Sequence, residues 1–249
     1  MGDHVTSPKT AGFAIFILAL LLLSSAAAAF ALPERLDYDL TWAGIKAGTA
    51  SLETIENGQY VQLVSRAMSS DFVSVFYRVN DLAVSSLRKE AHTSLPGTPY
   101  NYRLKTSEGK HKKDKEVFFD SAGKKATYID YLDKEQKTFD IGDFTMDALS
   151  CFYYVRFLPL HVGKSVFVEI FDNKKLYKAE VQVVKKEEIE TPIGTFKTIL
   201  IRPVLQSEGI FNRKGDILIW LTDDEKRLPV LLKTKVKVGS VKATLTAVK

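Results

Sequence analysis

Leu36-Asp37-Tyr38-Asp39-Leu40-Thr41-Trp42 is the stretch from which the fold is read. Apolar and polar side chains alternate strictly along it. That is the two-residue period of a half-buried strand, not the period of a helix. Ala43 to Gly48 breaks the run, and Thr49 to Glu56 resumes it with Ala50 and Leu52 inward. Asn57-Gly58 follows, a pair suited to a tight hairpin because both central residues of that turn need positive φ. Tyr60 to Ser69 reads as the returning strand, so the chain opens as an antiparallel meander.

The same pattern extends to the end of the chain. Asp81 to Glu90, Tyr100 to Ser107, Lys113 to Asp120, Ala126 to Tyr131 and Gln136 to Ile141 read as strands. So do Val166 to Phe171, Leu176 to Lys185, Phe196 to Val204, Asp216 to Thr222, Val230 to Val238 and Val241 to Val248. Turn signals separate them at Pro96-Gly97, Glu108-Gly109, Gly123, Asp172-Asn173, Thr191 to Thr195, between Gly209 and Gly215, and at Gly239-Ser240. A helix is expected from near Thr145, as N-cap, to just before Pro159, with Ala148, Leu149, Phe152 and Val155 on one face. Asp147 suits the positive helix start and Arg156 its negative end. Asp71 to Val79 reads either as a short helix capped by Ser70 or Asp71 or as the approach to a strand.

About a dozen strands with one or two short helices predict a mainly β protein. A sheet that large twists, then closes or wraps a helix to hide its apolar face. The expected architecture is a large curved antiparallel sheet or a partly open β-barrel. No Gly/Pro/Ser-rich linker divides it, so 32–249 is expected to form a single β-rich domain.

Residues 1–31 read as a secretory signal peptide: Lys9, then a charge-free run from Ala11, then small residues ending at Ala29-Phe30-Ala31. The alternative is an uncleaved inner-membrane anchor, since about 20 apolar residues can span a bilayer. Export places the protein in the periplasm. In that oxidising compartment, the single cysteine of the 249 residues, Cys151, has no partner within the chain, and it reads as a small buried apolar residue.

Catalytic signatures are missing. There is no nucleophile elbow, paired-histidine metal motif, cysteine pair or phosphate-cradling glycine loop. His92, His111 and His161 lie far apart, with no other ligand at metal spacing. Asp223-Asp224 reads as a polar turn. Asp147 and Arg156 are too far apart to pair along one helix. No catalytic residue, metal or cofactor is therefore expected. The net charge of +5 is uneven, with Lys110, Lys112 and Lys113 clustered about His111. Such a patch suits anionic lipid, or keeps an exposed hairpin soluble, and export argues against nucleic acid. Trp42, Phe72, Phe76, Phe152 and Trp220 are candidate linings of an apolar cavity inside the curled sheet; the alternative is a filled core.

Several segments read together resemble the bacterial envelope family known as domain of unknown function 3108. They are Leu36-x-Tyr38-x-Leu40-x-Trp42 with Gly44 and Gly48, Asp147-x-x-Ser150 with Tyr153-Tyr154-Val155-Arg156, and Gly163 after Leu160. Thr191-Pro192-x-Gly194-x-Phe196 and Trp220 to Asp224 with Leu228-Pro229-Val230 complete the set. The resemblance implies no enzymatic activity. The last segment is also similar to the LolA/LolB group of periplasmic carriers, which implies an incomplete barrel around an apolar cavity. The sequence thus predicts a periplasmic, non-enzymatic binding module for a lipid or other apolar envelope ligand. The alternative is a structural or protein-interaction component of the envelope, with a protein partner or peripheral membrane contact.

Overall fold

The computed structural model describes residues 34–89, 97–205, 217–235 and 239–249. The signal segment 1–31 and the turns at Pro96 and between Gly209 and Gly215 lie outside the described residues. The first half of the chain contributes β1 (Glu34–Trp42), β2 (Ile45–Asn57), β3 (Tyr60–Ser69), α1 (Asp71–Ser74), β4 (Asn80–Arg88), β5 (Thr98–Glu108), β6 (His111–Asp120), β7 (Lys125–Asp130) and β8 (Glu135–Asp140). The second contributes β9 (Thr145–Met146), α2 (Ala148–Val155), β10 (Ser165–Asp172), β11 (Lys175–Thr191), β12 (Gly194–Leu205), β13 (Ile217–Thr222), β14 (Pro229–Lys235) and β15 (Ser240–Val248).

All fifteen strands form one sheet, ordered β8-β7-β6-β5-β4-β3-β2-β1-β15-β14-β13-β12-β11-β10-β9. Every pairing is antiparallel except the short parallel contact of β9 with β10. The sheet is curved but not closed into a barrel. Its two edges, β8 and β9, are consecutive in the chain and only residues 141–144 join them. The curl also brings the β10–β11 turn against the first half: Lys174 pairs with Glu135, and Lys115 Nζ donates to Asn173 Oδ1 at 3.1 Å.

Local chemistry explains the elements. The first hairpin differs by one residue from expectation: Asn57 ends β2 opposite Tyr60, and the turn is Gly58-Gln59 with Gly58 alone at positive φ, +57°. At Gly48 a Cβ would stand 2.1 Å from the Met68 carbonyl oxygen, so only glycine lets β2 approach β3 there. Ser70 caps α1, as one of the two sequence readings had it, and the helix is a single turn. The α2 boundary differs from expectation. Asp147, not Thr145, is the N-cap, its carboxylate accepting from the Leu149 and Ser150 amides. Thr145 belongs to β9, where pairing with Glu169 holds it extended.

α2 lies inside the curl and is buried on more than one face. Leu149 and Tyr153 pack on the cluster of Val61, Leu63, Val117 and Phe119 from the first half. Cys151 and Val155 pack on Val181, Ile199 and Ile219 from the second. Half-buried Phe152 touches both clusters. One helix therefore serves two concave walls, which explains why its apolar residues are not confined to one stripe.

Candidate functional site

The strand register gives the curled sheet two ends. At the terminal end lie Glu34, Lys249 and turns 58–59, 121–124 and 223–228. At the α1 end lie α1 and turns 43–44, 109–110, 131–134 and 173–174.

The terminal end is sealed by buried polar groups, several of them in specific pairs. Arg156 follows α2 and donates from Nη1 and Nη2 to the two oxygens of Glu34 at 2.8 and 3.0 Å, and to the Lys226 carbonyl at 2.9 Å. Its side chain is 1% exposed and that of Glu34 9%. The Tyr38 hydroxyl donates to the Pro229 carbonyl at 2.8 Å, and burial holds its pKa well above the ordinary value. Asp224 folds the neighbouring turn by accepting from the Thr222 hydroxyl and the Lys226 and Arg227 amides. Asp223 pairs with Lys186 at 2.6 Å. The two carboxylates thus do the structural work of a turn.

Asp147 is fully buried inside the curl. Besides the two amides, it accepts from the Ser85 hydroxyl at 2.6 Å and the Ser150 hydroxyl at 2.8 Å. Burial raises its pKa and outweighs those four bonds, which favour the charged form. Burial likewise pushes the Cys151 thiol up to about 12, so it is not a nucleophile at neutral pH. Among the described residues no three His, Cys, Asp or Glu side chains gather to hold a metal ion.

A cavity of about 300 Å³ lies between α2 and strands β10 to β14. Cys151, Phe152 and Val155 form its helical wall. Ala179, Ile201, Ile219 and Leu232 form much of the sheet wall, with Asp172 and Tyr177 also on it, and the lining surface is almost wholly apolar. Asp172, Tyr177, Pro203 and Ile217 sit toward the α1 end of their strands, so the cavity runs from α2 in that direction.

The aromatic residues singled out in the sequence divide among three places. Phe152 lines this cavity. Trp42, Phe72 and Phe76 meet with Ile45 around a second apolar depression of about 320 Å³ at the α1 end. Trp220 lines neither. It pairs with Leu200 and Leu231, out of phase with the cavity residues Ile201, Ile219 and Leu232, so it faces the other side of the sheet. There it is 8% exposed, and its indole donates to Glu187 at 2.8 Å. The lysines divide too. Lys113 shares the core-facing parity of Val117 and Phe119 on β6, whereas Lys112 points the opposite way and Lys110 sits in the turn. Ile201, Ile219 and Leu232 went unmarked in the sequence because strands this apolar do not announce which residue faces a void.

The match to known proteins runs across this whole arrangement. The family model described as "Protein of unknown function (DUF3108)" matches residues 37–246. The chain belongs to this family. A solved beta-barrel-like protein of domain of unknown function DUF1849 from Brucella abortus has the same fold. Its TM-score is 0.57 at 12% identity, over 89% of this chain and 99% of that one. A protein with a YmcC-like fold from Bacteroides fragilis aligns at a TM-score of 0.33 and 9% identity, over 87% of this chain and 95% of that one. No curated protein matches the chain. No helix among the described residues is long and apolar enough to cross a membrane. The DUF3108 resemblance read from Leu36 to Trp42, Asp147 to Arg156 and Trp220 to Val230 falls almost wholly within the matched span.

Proposed function

We propose that this DUF3108 protein is an exported, non-enzymatic carrier that holds an acyl chain or similarly compact apolar ligand between α2 and β10–β14. The cavity of about 300 Å³ carries this reading. Ligand sites are concave and mostly apolar, as this one is, and they span about 300–1,000 Å³. The cavity is at the small end of that range. It suits one chain with its head toward the α1 end, not a whole phospholipid. The charge-free run before Ala29-Phe30-Ala31 supports export to the periplasm. A non-enzymatic role is supported by how the reactive groups are used: Asp147 is committed to four internal bonds, and Cys151 is a buried thiol.

Calorimetric titration with lauric acid tests the proposal. Burial at about 0.8 kcal/mol per methylene over a dozen carbons, less ordering costs, is enough for the roughly 8 kcal/mol of a micromolar complex. A negative heat-capacity change is expected, because apolar surface leaves water. Ala179→Phe projects a ring into the cavity and should abolish the heat while the protein stays folded. No heat from the wild type, and no lipid in an organic extract of the purified protein, would leave the interaction-protein reading in its place.

A further inference from the structure

The α1 end carries a second feature that the cavity does not use. α1 is a single turn projecting from the loop between β3 and β4, and its apolar side chains point out of the protein. Phe72, Val75 and Phe76 are 68%, 77% and 79% exposed, and Ile45 beside them is 60% exposed. Phe72 and Phe76 stack edge to face with centroids 6.0 Å apart. Trp42 and Tyr77 stand behind this knob and line the same depression. The Tyr77 ring packs on the β5–β6 turn, where a Cβ on Gly109 would lie 2.8 Å from it, and the Gly109 amide donates to the Arg78 carbonyl. That contact fixes Lys110 and Lys112 next to the knob.

We propose that the Phe72–Phe76 knob, with Arg78, Lys110 and Lys112 around it, is a docking surface for an anionic phospholipid bilayer. Three observations carry this. The first is composition: Phe72, Val75 and Phe76 are the most exposed, and Trp42 and Tyr77, residue types favoured at a membrane interface, line the depression beside them. The second is charge. Arg78, Lys110 and Lys112 are exposed and form no ion pair with a described residue. They equal in number the nearby carboxylates Asp71, Asp81 and Glu108, of which Asp81 is half-buried and accepts from the Ser107 amide. The third is shape. A one-turn knob offers far less than the roughly 800 Å² per partner of a stable protein interface, yet it can enter a soft phase. The surface lies at the end of the molecule toward which the cavity runs, but it shares no residue with the cavity.

The test is co-sedimentation of the exported, purified protein with vesicles of phosphatidylcholine, with and without phosphatidylglycerol. The wild type should bind the anionic vesicles at least roughly tenfold more strongly. Phe72→Ser/Phe76→Ser should lose binding to both vesicle types. Lys110→Glu/Lys112→Glu should lose only the anionic preference, and added salt should do the same to the wild type. Ala179→Phe, which fills the cavity, should bind vesicles like the wild type, so the docking surface and the carrier function fail separately. The proposal is overturned if the double Phe variant sediments with vesicles like the wild type. It is equally overturned if ultracentrifugation shows a dimer that the same variant splits, for the knob is then a contact between copies.

Discussion

The two ends of the curled sheet solve opposite problems. The terminal end buries charge and satisfies it: Glu34 and Arg156 meet across 122 positions in a bidentate pair, and Tyr38 reaches the Pro229 carbonyl. The α1 end leaves aromatic rings in water, carried on one turn capped by Ser70. A buried ion pair is costly to break, because the surviving charge has no water to return to. An exposed apolar knob contributes little to folding, because it is nearly as exposed unfolded as folded. The contrast teaches that one end is closed by paired, buried charge while the other presents apolar side chains to solvent.

The largest effect should come from breaking the sealed end. Arg156→Ala strands Glu34 and should cost about 3–5 kcal/mol in urea unfolding. The double change Arg156→Met/Glu34→Leu should restore most of the loss. If the single change costs under about 1 kcal/mol, the end is not sealed as described.

Next is Asp147, midway between the ends. Asp147→Ala removes the α2 cap and leaves the Ser85 and Ser150 hydroxyls without their acceptor, a loss of about 1–3 kcal/mol. Its ionisation gives a sharper reading through Asp147→Asn. The folded pKa is raised above the ordinary 3.8, so the folded state binds the proton more tightly than the unfolded state. The stability this contributes is present below 3.8 and is lost as pH rises through the raised value. Wild-type stability relative to Asp147→Asn should therefore fall across that window and then level off. A rise with pH would mean the four hydrogen bonds outweigh burial.

Phe152→Ala should cost less than a fully buried aromatic, about 2 kcal/mol, because half-buried Phe152 already borders a void. It should enlarge the cavity and let it accept a bulkier apolar ligand. Smallest is the knob: Phe72→Ser/Phe76→Ser should leave the unfolding free energy within about 0.5 kcal/mol of wild type. Trp emission supplies an optical form of the same comparison. Acrylamide should quench the Trp220→Phe variant readily, since it retains Trp42 at 42% exposure, and the Trp42→Phe variant poorly, since it retains Trp220 at 8%.

How much of this was legible depended on distance along the chain. Period-two alternation and turn residues marked most of the strands, because both are local consequences of backbone geometry. The hairpin after β2 is an example, although its turn falls on Gly58-Gln59, one residue beyond the expected pair. The hairpin between β10 and β11 shows the edge of that legibility: its turn residues are Asn173 and Lys174, both at positive φ, a conformation a lysine does not advertise. Ser85 with Asp147 and Glu34 with Arg156 were out of reach, since only the folded topology brings them together. Faces were a third difficulty. Trp220 and Lys113 were grouped with residues that turn out to lie on other surfaces, because one residue of register reverses the direction of a side chain. The knob residues Phe72 and Phe76 were noticed for being aromatic, but exposure is a property of the fold and left no mark in the sequence.

The sheet order has a consequence for how the molecule is made. β1 and β15, the first and last strands, are neighbours at the middle of the sheet, and Arg35 and Lys249 exchange both backbone hydrogen bonds at 2.9 Å. A chain delivered from its N-terminus can zip β1 to β8 as successive hairpins. The long-range ladder that joins its two halves waits until β15 has arrived. Until then β1 presents an unpaired edge, and non-local pairing of this kind is slow. A chain still threading through an export pore thus cannot complete its central seam. On the proposed exported route, crossing a membrane unfolded and finishing the fold beyond it would be one ordered sequence of events.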